Sequence, residues 1–104
     1  VSLLGDWDVA IKTPIGTLHV AYSFAERDQA IVGSAAAKDE TVSLSDILVI
    51  PEGGGQRVTW RQTVTKPMRL KLDFDVLVHG DELSGHSRAG RLPRTAVSGK
   101  RRRD

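Results

Sequence analysis

The chain has 104 residues, enough for one domain with a single modest core. It has no cysteine, which excludes a disulfide framework and thiolate metal sites and suits a reducing, cytoplasmic setting. Fifteen basic and 13 acidic residues leave a net charge of only +2, so no strongly charged partner is implied by the total.

No apolar run approaches the roughly 20 residues that span a bilayer, and no signal-peptide pattern stands at the start. Because the first residue is Val1 rather than Met, a preceding residue or segment is expected. Basic residues concentrate at the end, in Arg101-Arg102-Arg103. Residues 102–104 are expected to be a basic tail after one domain over 1–101. A tail this short reads as a solvated terminus, so no nucleic-acid partner is expected.

Taken in order, the chain alternates apolar and polar residues with the period of two that belongs to strands. Residues 1–12 carry Trp7, Val9 and Ile11 on one face, and 17–25 carry Leu18, Val20, Tyr22 and Phe24. Between them lies turn chemistry, Thr13-Pro14-Ile15-Gly16. Residues 30–37 form a third strand with little side-chain bulk. A fourth, 41–50, is expected to bend at Ser45-Asp46. After Pro51-Glu52-Gly53-Gly54-Gly55, residues 58–64 place Val58, Trp60, Gln62 and Val64 on one face.

The strongest signal is 68–78, where Met68, Leu70, Leu72, Phe74, Val76 and Val78 alternate with mostly charged residues. Short strands over 83–89 and 94–101 complete the series. Eight strands with hairpin-sized connections predict an all-β, antiparallel, up-and-down barrel, which removes exposed edges by closing on itself. Beyond this rhythm there is no sequence repeat.

Gly5-Asp6-Trp7 in the first strand and Arg101 in the last resemble the calycins, meaning the lipocalins, fatty-acid-binding proteins and avidin-type barrels. The resemblance implies that Trp7 closes the barrel base and that Arg101 packs across it, a cation–π arrangement. The chain departs from those families: it lacks the lipocalin C-terminal helix, the helix–turn–helix lid of the fatty-acid-binding proteins and any recognisable biotin site.

With the apolar face inward, Gly33, Ala35, Gly85, Ser87 and Ala89 offer small residues on one flank, which predicts room for a ligand. The expected lining is Tyr22, Trp60, Gln62, Met68, Leu70, Leu72, Phe74 and Ser87, with Thr95 a further polar candidate. If odd strands run upward, one barrel end gathers Lys12, Lys38, Lys66, Arg69, Arg88, Arg91 and Arg94. A basic rim over an apolar cup suits an amphiphile with a carboxylate or phosphate head, with Arg88, Arg91 and Arg94 the densest part.

The first expectation is therefore binding of a small hydrophobic, anionic molecule. An enzyme of the isomerase, cyclase or hydratase type, with Tyr22 or Ser87 as acid or hydrogen-bond donor, is the alternative. A structural or homodimerising module, using outward Leu48, Ile50 or Leu77, is the third reading. No cofactor is expected. His19, His79 and His86 face outward without metal-ligand spacing, and Asp73 and Asp75 read as part of a solvated charge ladder rather than a catalytic pair.

Overall fold

The computed structural model describes residues 3–13, 16–38, 40–65 and 69–102. They form nine strands: β1 (Gly5–Thr13), β2 (Gly16–Arg27), β3 (Ala30–Ala36), β4 (Thr41–Ser43), β5 (Ser45–Glu52), β6 (Gly55–Val64), β7 (Leu70–His79), β8 (Glu82–Ala89) and β9 (Thr95–Arg101). All pairings are antiparallel and, except between β4 and β5, join chain neighbours; β9 returns beside β1, giving the order β4-β3-β2-β1-β9-β8-β7-β6-β5. The result is an up-and-down sheet nearly closed into a barrel.

Nine strands stand where eight were expected because the fourth divides at Leu44. Asp46 takes a left-handed φ of 54°, a conformation its short polar side chain tolerates, and the β5–β6 register slips between Ser45 and Leu48. The amide of Leu44 still donates to the Gly33 carbonyl at 2.9 Å. One bent strand thus pairs with β3 through β4 and with β6 through β5, and the two ends of the sheet are consecutive in the chain. Glu40 fastens this seam: its carboxylate accepts from the Thr65 amide at 3.0 and 3.1 Å and from the Thr65 hydroxyl.

Turn chemistry sets the hairpins. Asp28 and Gln29 both have positive φ, as do Gly53 and Gly54, the pattern of tight two-residue hairpin loops. Hairpins β2–β3 and β7–β8 are equivalent in register. Tyr22 faces Ala35 and Phe24 faces Gly33, as Phe74 faces Ser87 and Val76 faces Gly85. The two share a pattern of large-opposite-small pairs rather than residue identity.

Alternation places Trp7, Tyr22, Phe24, Val58, Trp60, Phe74, Val76 and Val97 inside, all buried. Leu18 departs from its expected inward position and is 53% exposed. Its strand outruns β3, whose pairing reaches only to Ala21, so Leu18 has no wall beside it on that side. Met68 lies outside the described residues.

Arg102 differs from a free tail. Its amide donates to the Asp6 carbonyl at 2.8 Å and its guanidinium pairs with Asp8. No helix among the described residues is long and apolar enough to cross a membrane.

Candidate functional site at the open end of the barrel

The base of the barrel is sealed. Trp7 stands opposite Arg101 in the β1–β9 ladder, and the guanidinium carbon lies 4.5 Å from the indole centroid. Arg101 also donates to the carbonyls of Leu4 (2.6 Å) and Gly80 (3.3 Å) and to the Asp81 carboxylate (2.9 Å). The Trp7 indole N–H donates to the Leu3 carbonyl at 2.8 Å, and Leu3 is itself buried. The arginine thus satisfies carbonyls that the strand ends leave unpaired.

Above the base, four rings fill the barrel. Trp60 and Phe74 stack with centroids 4.9 Å apart, and Tyr22 lies 5.4 Å from Trp60 and 6.1 Å from Phe24. The room expected from the small-residue flank is taken up here. A Cβ on Gly33 would lie 2.9 Å from Phe24 and 3.0 Å from Leu44, and one on Gly85 would lie 2.1 Å from the Asp75 carbonyl oxygen. Small residues let neighbours approach rather than leaving a void.

Two neutral polar groups interrupt this hydrocarbon. The Gln62 side-chain oxygen accepts from the Tyr22 hydroxyl at 2.7 Å and from the Trp60 indole N–H at 3.0 Å. Burial pushes the Tyr22 phenol well above its ordinary pKa. Ser87 Oγ lies 2.8 Å from Thr95 Oγ1. Toward the mouth, Leu72 pairs with Gln62 across the β6–β7 ladder and Leu70 pairs with Val64. These three aliphatic residues, with Val42, are only half-buried.

The arginines separate from this interior. Arg88 and Arg94 line an open groove of about 670 Å³ on the outer wall, together with Leu48, Arg57, Arg61, Asp73, Asp75 and His86. The alternation that turns Ser87 inward turns Arg88 outward. Asp75 accepts from Arg57 at 2.9 and 2.5 Å, and this pairing holds its carboxyl below the usual range. Asp73 accepts from Arg61 at 3.0 Å. The partners of both carboxylates come from β6, across the ladder, rather than from Arg69 and Lys71 just before them in the chain. Arg88 donates to the Leu92 carbonyl at 3.0 Å, and Arg91 is exposed in the turn after β8.

The structure therefore brings Tyr22, Trp60, Gln62, Leu72 and Phe74 together inside, with Ser87 across the ladder from Phe74. It places Arg88 and Arg94 on a different surface. His19 and His79 are exposed, and His86 lies in the outer groove. Among the described residues no group of His, Cys, Asp and Glu is placed to hold a metal ion.

The contributions of Leu3, Glu40 and Asp81 carry no local sequence signal. The bond between Trp60 and Gln62 does, since residues two apart on a strand share a face. No family model, curated protein or solved structure matches the chain. The class defined by its own fold is a small, nearly closed antiparallel β-barrel with a sealed base.

Proposed function

We propose that this barrel binds a small hydrophobic molecule at its open end, in the general manner of the calycins that Gly5-Asp6-Trp7 and Arg101 resemble. The observation that carries the reading is that the aliphatic residues Val42, Val64, Leu70 and Leu72 are only half-buried, with Leu72 paired across the ladder with the buried amide residue Gln62. An apolar enclosure with one or two placed polar groups is the usual make-up of a small-molecule site. The aromatic cluster beneath keeps the ligand in the upper barrel. Among the described residues, Lys12, Lys38, Arg69 and Arg91, all exposed, are the expected rim residues left to the mouth end once Arg88 and Arg94 are assigned to the outer wall; Lys66 lies outside the described residues. The absence of cysteine fits a cytoplasmic site of action.

Titration with a medium-chain amphiphile, followed by tryptophan fluorescence, tests the reading. Saturable one-to-one binding that Leu72→Asp abolishes is expected. If no uncharged or anionic amphiphile binds saturably, the reading fails.

A second reading, an interaction module, rests on outward Leu48, Ile50 and Leu77, which are 55%, 46% and 38% exposed. Ile50 and Leu77 flank Arg57 in adjoining ladders. Association that depends on protein concentration and is removed by Ile50→Lys would favour it. The enzyme reading has less to stand on. Tyr22 and Ser87, its two candidates for proton transfer, both have neutral hydrogen-bond partners.

A further inference from the structure

Gln62 is 5% exposed, and the orientation of its amide is set by its neighbours. An indole N–H can only donate, so the amide atom facing Trp60 must be the oxygen. That oxygen also receives the Tyr22 hydroxyl, which occupies its second lone pair. The two hydrogens of the amide nitrogen find no acceptor among the described residues. No sealed side-chain nitrogen or oxygen of those residues lacks a partner, so this nitrogen is either within reach of solvent or bonded outside the described residues. The base is closed by Leu3, Trp7 and Arg101, whereas Gln62 stands two residues from the half-buried Val64–Leu70 pair at the other end of the ladder.

The charge of the surroundings restricts what can meet it. Among the described residues the buried polar ones are Gln62 and Ser87, and Tyr22 is held in its neutral form by burial. No buried cation stands among the described residues, so an anion placed here would be desolvated without compensation. Gln62 can therefore donate to a ligand but has no accepting capacity left to offer, and its surroundings disfavour charge.

We infer that the end of the ligand reaching Gln62 is an uncharged hydrogen-bond acceptor, a carbonyl of the ketone, ester or amide type, with its hydrocarbon remainder against Leu72, Leu70 and Val64. This rests on the mouth-binding reading above and assigns its specificity to Gln62. Tyr22 and Trp60 are positioning residues that hold the amide.

The test compares methyl hexyl ketone with octanoate near neutral pH, read by tryptophan fluorescence and by NMR of the Gln62 side-chain amide. The ketone is expected to bind at least about tenfold more tightly, the worth of one good hydrogen bond, and to shift the Gln62 amide resonances. Gln62→Met should cost the ketone about tenfold and leave octanoate unchanged. Should that variant fail to fold, the amide shift in the native protein decides alone. Octanoate binding as tightly as the ketone, or an unmoved Gln62 amide at ketone saturation, overturns the inference and leaves mouth binding standing. Failure of both probes to bind overturns the two together.

Discussion

Tyr22 and Gln62 meet inside the barrel, hydroxyl to amide oxygen at 2.7 Å, although 40 positions separate them in the chain. The bond joins the β1–β3 side of the wall to the β6–β7 side and supplies a partner for both polar groups in a hydrocarbon interior. A buried polar pair of this kind stabilises only while both members are satisfied.

Removal of the hydroxyl tests this directly. Tyr22→Phe keeps the ring among Phe24, Trp60 and Phe74 while Gln62 retains its bond from Trp60. A loss of about 0.5–1.5 kcal/mol in urea unfolding is expected, with the fold retained. A neutral result would mean that the bond adds nothing to stability.

The alkaline titration of the same residue has a definite sign. Tyr22 is the sole tyrosine, and its folded pKa is raised by burial. Its contribution to stability is fully present below the unfolded value, about 10, and is lost as pH rises through the folded pKa. Phenolate absorbance of the native protein should therefore appear only well above pH 10, and unfolding should bring it forward. Ordinary titration of the folded protein near that value would contradict the buried geometry.

Acid acts through Asp75. Its folded pKa is lowered, first by the hydrogen bond from Arg57, so its contribution is present above the unfolded value, about 3.9, and disappears as pH falls through the folded pKa. The stability difference between the native protein and Asp75→Asn should thus shrink to nothing on acidification below about pH 4. A difference independent of pH would assign the effect to packing.

At the base, Arg101→Lys should be nearly as costly as Arg101→Ala, each losing about 1–3 kcal/mol in thermal or urea unfolding. A lysine keeps the charge but cannot reach Leu4, Gly80 and Asp81 from one planar group while lying on Trp7. Full rescue by lysine would show that charge alone suffices.

Gly85→Ala should destabilise by at least about 1–3 kcal/mol, because the new methyl meets the Asp75 carbonyl oxygen, and backbone cannot swing aside as a flexible side chain can. Gly80→Ala meets no neighbouring atom but needs a left-handed φ of 58°, so its cost should come from the backbone alone. Equal tolerance of alanine at both positions would rule out close approach at Gly85.

Much of this molecule is legible in the chain itself. A period of two sorts Trp7, Tyr22, Trp60, Phe74 and Val76 inward and Arg57, Asp73 and Asp75 outward, because successive strand residues must face opposite ways. Short connections rich in turn residues then dictate an antiparallel meander, and Ser45-Asp46 marks where it bends. What alternation cannot reveal is occupancy. Gly33 and Gly85 look like room until Phe24 and the backbone of β7 are brought against them, and Arg88 and Arg94 look like a rim until strand pairing turns them to the outer wall. The Gln62 amide depends most on tertiary structure. Its residue type and inward face are local properties, but the direction of its hydrogens is set by a tyrosine on β2 and an indole on its own strand, brought together only when the barrel closes.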